Sequence, residues 1–329
     1  MRCPLLLLLL IAAVPALQAD LTVVGCDLLG PEFSIGLGAA ARRDGFPVKL
    51  DLAGSRLGLD TLQAGKADLA LLVFSPKETP PGTPFVARTV AYHTAVVVVP
   101  AGLPLAQISF SQLRDLFSDS EGASSYARWS DFGITTPEWA GAKILLGMSG
   151  SGGGLSYDLF RYDVLLSPGL RPTIRIDEDG AAALKRVAVP EGGLTIVPSL
   201  PAGQAGLRVV PVARGMRDVA FLPTPENVNT GDYPIRLPLY VVFRADAKPR
   251  LLPLLRYLYS NEAVALWQGA QLVPLPPQVR SQQVPGVMRV TVVLEDLIAI
   301  EGIHQAVPRK TLRTSCKPIS RASTSLVSL

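Results

Sequence analysis

Two rhythms of apolar and polar residues alternate along this chain. Leu21-Thr22-Val23-Val24-Gly25 is a short apolar run ended by glycine and reads as a strand. Gly30-Pro31-Glu32 then opens a helix that runs to about Arg43. Proline at a first turn gives up only an N–H that has no helical partner, and the acid beside it meets the positive end of the helix. Phe33, Leu37 and Ala41 recur at every fourth residue and so share one face. Val48-Lys49-Leu50-Asp51-Leu52 is the next strand, Leu59 to Ala64 a short helix closed by Gly65, and Asp68 to Val73 a third strand. This β-α-β-α-β order predicts a parallel sheet with helices packed on it. Ala95 to Val99 is apolar throughout, as in a strand buried on both faces, and Pro100-Ala101-Gly102 stops it.

The same style continues with a helix at Ser111 to Phe117, a strand at Lys143 to Leu146, a helix from about Leu155 to Leu165, and strands at Leu194 to Val197 and Val209 to Val212. Leu239 to Phe243 is another apolar strand, followed by helices at Arg250 to Tyr259 and Asn261 to Gly269. No fixed-period repeat and no low-complexity linker divides the body. The expected architecture is α/β with two lobes that share strands: residues 20–95 plus 237–285 in the first, 96–236 in the second, and a cleft between them. Residues 286–329 form a C-terminal extension whose Lys/Arg/Ser/Thr-rich end reads as solvated.

Residues 1–19 read as an address. Arg2 precedes the apolar run from Leu5 to Val14, Pro15 breaks it, and Ala19 supplies a small residue before Asp20. That run has signal-peptide length and is too short to span a bilayer. Export follows, with Asp20 as the first mature residue and no membrane span after cleavage. Val23-Val24-Gly25-Cys26 has the residue types of a lipoprotein box, but Asp20 separates it from the apolar run and it reads better as strand.

Charge changes the picture by its location. The 329 residues carry a formal net charge of +4, yet six basic and three acidic residues lie after Pro285. The body between Asp20 and Pro285 is neutral and projects no broad field toward a polyanion, so nucleic acid is not an expected partner. Only Cys26 and Cys316 remain after cleavage, and His93 and His304 are the only histidines, which argues against a disulfide scaffold or a Cys/His metal site. A Cys26–Cys316 bridge and a buried free Cys26 both remain open.

Three small-residue turns stand at predicted helix starts: Gly25-Cys26-Asp27-Leu28-Leu29-Gly30, Gly54-Ser55-Arg56-Leu57-Gly58 and Ser149-Gly150-Ser151-Gly152-Gly153-Gly154. Glycine lets the backbone approach a ligand, serine can donate a hydroxyl proton, and first-turn N–H groups point outward unpaired. Several helix N-termini aimed at one point make an anion site with few basic side chains. Arg56 adds one charge and a planar fork.

Several stretches together resemble the phosphate-binding solute receptors of ABC transporters, in the type II periplasmic binding protein superfamily. They are Gly54 to Leu62 with Gly65-Lys66-Ala67-Asp68-Leu69-Ala70; Ile108 to Phe117 with Trp129-Ser130-Asp131-Phe132-Gly133; Gly231-Asp232-Tyr233-Pro234-Ile235 with Pro238-Leu239-Tyr240; and Leu258 to Glu262 with Gly269 to Leu275. The resemblance spans roughly Leu21 to Pro276. It implies two α/β lobes, each with a central, mainly parallel sheet, joined by crossing strands at about Thr94 to Val99 and Leu239 to Phe243. It implies a periplasmic monomer without cofactor that closes on an oxyanion, phosphate first, and hands it to an ABC permease. Carried over by residue, the ligand-binding set is Cys26 and Asp27, Ser55 and Arg56, and Ser149, Gly150, Ser151, Gly152 and Gly153. Gly153 stands in a threonine place, Gly147 where an arginine is frequent, and Val73-Phe74 where an acidic acceptor takes a proton from hydrogen phosphate.

Two enzyme readings are weaker. Ser149-Gly150-Ser151-Gly152-Gly153 nearly matches a Gly-x-Ser-x-Gly nucleophile elbow, but its leading glycine is serine, and only His93 or His304 could complete a triad. Gly36-Leu37-Gly38-Ala39-Ala40-Ala41 has a dinucleotide-like spacing, but its glycines fall inside a helix, where small residues for helix packing are the better account. The chain is read as a non-enzyme. A sensor or interaction protein on the same fold is the alternative, because fold alone does not set function.

Overall fold

In the computed structural model, which describes residues 20–75, 77–119, 126–150, 155–166, 169–188 and 193–283, two sheets are built from interleaved chain segments. The expected signal segment at 1–19, the turn residues 151–154 and the extension at 286–329 lie outside the described residues.

β1 (Leu21–Gly25) leads through a tight turn at Asp27–Leu29 into α1 (Gly30–Arg43). Pro31 sits in the first turn of that helix and Arg42 and Arg43 in its last, while Phe33, Leu37, Ala40 and Ala41 turn inward. β2 (Val48–Asp51), α2 (Ser55–Gln63) and β3 (Leu69–Val73) follow. β1 pairs in parallel with β2 on one side and β3 on the other. The chain then runs through β4 (Phe85–Thr94) directly into β5 (Val96–Pro100), whose residues are all buried. Thr94 is paired in the first sheet and Val96 in the second, so the crossing is made at Ala95.

β6 (Ile108–Ser109) ends in the cap of α3 (Phe110–Phe117). Ser109 accepts from the Gln112 N–H and the Gln112 side chain accepts in return from the Ser109 N–H, which fixes the start of α3. After α4 (Pro137–Ala140), the second sheet continues with β7 (Leu146–Ser149). The strand lies three residues later than its apolar pattern suggested. Lys143 instead bridges to Arg128, and pairing along β9 begins where the Leu194 N–H donates to the Leu145 carbonyl. α5 (Ser156–Phe160) runs into a widened π turn at Arg161–Leu165, which Leu166 ends in the left-handed region at φ 55°. β8 (Arg175–Asp177), α6 (Gly180–Val187), β9 (Leu194–Val197), β10 (Leu207–Val209) and β11 (Val212–Ala213) complete this half.

α7 (Pro225–Thr230) precedes the return crossing into β12 (Arg236–Arg244). α8 (Lys248–Leu258), α9 (Ala263–Gly269), β13 (Val273–Pro274) and α10 (Pro277–Gln283) then pack on the first sheet's side of the molecule. Among the described residues the strand order is β13-β4-β12-β3-β1-β2 in one large sheet and β10-β5-β9-β7-β8 in the other, and β6 and β11 form a separate parallel pair.

Both sheets have a parallel core, as the β-α-β pattern requires, but each is mixed rather than mainly parallel. β12 runs antiparallel to β3 and β4, and β5 antiparallel to β9 and β10, because the crossing strands enter each sheet from the other. α1 packs on α9, with the Phe33 and Trp267 rings 5.0 Å apart. A Cβ on Gly36 would come within 2.7 Å of Leu266, so that glycine serves close helix packing.

Candidate functional site

The first two small-residue turns follow the ends of β1 and β2 and lead into helices, while of the third Ser149 ends β7 and Gly150 follows it. At the first, Gly25 has φ +143° and a Cβ there would meet the Leu71 carbonyl oxygen at 2.0 Å. Gly58 of α2 lies against the Gly25 backbone in turn, so these two glycines let α2 approach the end of β1. The Gly54 N–H donates to the Gly25 carbonyl at 2.7 Å and ties the first two turns together.

Cys26 is 2% exposed and is a free thiol. Burial pushes its pKa up, against hydrogen bonds with the Leu28 backbone and the Ser55 side chain. A protonated, covered thiol behaves as a small apolar group. The Ser55 hydroxyl also accepts from the Val73 N–H at 3.0 Å. Both side chains thus stitch β1, β3 and α2 together. Arg56 is 83% exposed and sits 3.6 Å from Asp60, one turn along α2. At the third turn, Ser149 is fully buried, with its hydroxyl 3.2 Å from that of Ser156. The Gly150 N–H donates to the Asp177 carbonyl at 2.7 Å, and a Cβ on Gly150 would meet Ile176 at 2.8 Å. Ser151, Gly152 and Gly153 lie outside the described residues.

Asp27 has a different setting. It lines a cavity of about 340 Å³ where the start of α1 meets the crossing at His93 and Thr94, the start of α5, Asp179, Pro198 and the turn after α9. The carboxyl groups of Asp27, Glu32 and Asp179 are on its wall, and no lysine or arginine is among the described residues that line it. Asp179 also accepts from the Ala182 N–H at 2.8 Å, which caps α6. The N-termini of α1 and α2 have no side-chain cap. Of the two, only the start of α1 lines this cavity; an uncapped helix start favours an anion, whereas three exposed carboxylates oppose one.

His93 is 7% exposed, and its Nε2 atom has no hydrogen-bond partner among the described residues. Burial lowers its pKa to about 4, so the imidazole is neutral at physiological pH. Its neighbour Thr94 donates to the Pro198 carbonyl at 2.8 Å across the crossing. The sequence offers His93 as a member of a triad, yet among the described residues no serine is hydrogen-bonded to it. Asp179 carried the one sequence signal available for it, that of an N-cap before Gly180-Ala181-Ala182.

No known family profile matches the chain, and no curated protein matches its sequence. Among solved structures, the chain is similar to a possible phosphate binding protein from Planctomyces limnophilus, with 16% identity and a TM-score of 0.59, covering 81% of this chain and 96% of that one. It is similar to an ABC-type phosphate transport receptor from Vibrio cholerae, with 17% identity and a TM-score of 0.57, covering 78% of this chain and 100% of that one. It is likewise similar to PstS from Borrelia burgdorferi, with 14% identity and a TM-score of 0.59, covering 78% and 99%. The fold is that of the type II periplasmic binding proteins. Among the described residues no helix is long and apolar enough to cross a membrane.

Proposed function

We propose that the chain is an extracytoplasmic solute-binding protein that captures a small tetrahedral oxyanion, phosphate first, between its two halves and presents it to an ABC-type permease. The observation that carries this reading is that neither α1 nor α2 has a side-chain N-cap, and that the turns leading into them are tied by the bond from Gly54 to Gly25. In this reading, backbone N–H groups of these first turns bind the anion, Arg56 supplies charge, and Ser149, Gly150, Ser151, Gly152 and Gly153 supply further donors. The hydroxyl of Ser55 and the thiol of Cys26 hold the loops in place. Catalysis is not part of the proposal, and neither is a cofactor.

Closure follows from differential binding. An anion touched from both halves gains its full set of hydrogen bonds only when they meet, so it drives the closed state by that difference. Fold likeness to the phosphate receptors supports the reading. A second reading, a sensor or interaction protein on the same fold, draws on the carboxylates of Asp27, Glu32 and Asp179, which favour a ligand other than phosphate. Calorimetric titration of the mature chain with phosphate, and with sulfate as competitor, separates them. Saturable one-site binding of either anion supports the receptor. Absence of binding to both removes it in favour of the second reading.

A further inference from the structure

A second cavity, of about 410 Å³, opens on β4 and β12 and is bordered by Asp163 of the π turn and Arg214 just after β11. Its chemistry is opposite to that of the His93 cavity. Arg214 and Arg236 line it, with Tyr92, Tyr240, Pro238 and Asp163. Arg236 is anchored by its Nη1 atom, which donates to the carbonyls of Val228 and Asn229, and its guanidinium lies 5.0 Å over the Tyr92 ring. Nε and Nη2 are left without a hydrogen-bond partner among the described residues, as is the exposed side chain of Arg214.

Two local irregularities shape this cavity. The π turn carries Asp163 into it, and the β4–β12 ladder shifts register between Leu239 and Tyr240, which sets Tyr240 opposite Thr89. Bulges of both kinds re-aim side chains and concentrate at functional sites. Burial raises the Asp163 pKa to about 6, against the pull of Arg214, so this carboxyl group carries a proton near neutrality more readily than an ordinary aspartate. The volume falls in the range of small-molecule pockets, about 300–1,000 Å³.

We propose that this cavity is the seat of a small organic oxyanion, whose charged head pairs with Arg214 and Arg236 and whose carbon body packs on Tyr92, Tyr240 and Pro238. The proposal takes its role from the receptor reading and its chemistry from this cavity alone. Guanidinium forks match carboxylate and phosphate oxygens, and aromatic faces hold the attached carbon atoms at little entropic cost.

Calorimetry on the full mature chain tests it, with inorganic phosphate, phenyl phosphate and benzoate as probes. The expected result is that phenyl phosphate binds at least about tenfold more tightly than inorganic phosphate. Arg214→Ala should weaken phenyl phosphate by about tenfold or more with an unchanged melting temperature, because this exposed side chain supports no fold contact. Arg236→Lys, which keeps the charge but not the fork, should weaken it as well, and Arg43→Ala on the outer surface should not. Asp163→Asn should tighten binding at pH 8, where the native carboxylate repels the head group. Equal affinity for phenyl and inorganic phosphate, with Arg214→Ala inert, would overturn the proposal and leave the receptor reading standing. No saturable binding of any probe would overturn both.

Discussion

The hydroxyl of Tyr233 donates to the carbonyl of Ala95 at 2.7 Å, and this bond joins the two chain crossings at their midpoint. Ala95 is the residue between β4 and β5, and Tyr233 lies just before β12; the Ala95 N–H returns the contact to the Ile235 carbonyl at 3.3 Å. Both Tyr233 and Ala95 are fully buried, so neither group of the hydroxyl–carbonyl bond has water as an alternative partner.

Tyr233→Phe keeps the ring and removes only the hydroxyl. The Ala95 carbonyl is then left buried without that partner, a cost of about 1–3 kcal/mol. Urea unfolding should show the free energy of unfolding fall by that amount, seen as a lower midpoint with an unchanged slope. A variant as stable as the native chain would mean that the pair does not secure the crossings.

Gly25 should tolerate no side chain. Its φ of +143° is unfavourable for any L residue, and a Cβ would sit 2.0 Å from the Leu71 oxygen. Strain of this type costs ~1–3 kcal/mol and the clash adds to it. Gly25→Ala is therefore expected to lose at least about 2 kcal/mol in thermal or chemical unfolding, with β1 and α2 forced apart.

His93 predicts a pH dependence of stability. Its folded pKa of about 4 lies below the ordinary 6.5, so the unfolded chain takes up a proton first as pH falls. The stability associated with neutral His93 is complete above pH ~6.5 and is lost as pH falls toward about 4, by roughly 3 kcal/mol at most. His93→Gln cannot titrate. The difference in stability between native and variant chains should slope across that window and be flat above it; a flat difference throughout would remove the assignment.

The carboxylates on the His93 cavity should weaken anion binding. Asp179→Asn keeps an oxygen to accept from the Ala182 N–H, so the α6 cap survives while the charge is lost. Glu32→Gln removes another charge at the start of α1. Each should tighten phosphate by a few-fold in low salt, with the gain shrinking at high ionic strength. Unchanged affinity would place the anion away from this wall.

Strands and helices were legible wherever burial is continuous or strictly periodic. Val96 to Val99 of the apolar run lie in β5, with Ala95 at the crossing just before it, and the spacing of Phe33, Leu37 and Ala41 is the inward face of α1. The antiparallel crossings were less visible, because a strand's direction is set by where the chain last left the sheet and leaves no mark in local pattern. The site was harder still. Ser55 and Cys26 have the residue types of ligand donors, but their polar atoms are bonded within the fold. Asp163, Arg214 and Arg236 are spread over more than seventy positions and meet only because the chain crosses twice between the sheets. The neutral body read from the charge count hides two cavities of opposite character, one lined by acids and one by arginines.

The central claim is that a ligand held between the halves draws them together about Tyr233 and Ala95. Small-angle scattering of the chain from Asp20 onward, with and without a saturating oxyanion, on samples whose occupancy is fixed by calorimetry, reads that motion directly. The account predicts a smaller radius of gyration in the occupied sample. Full occupancy with an unchanged radius would contradict it.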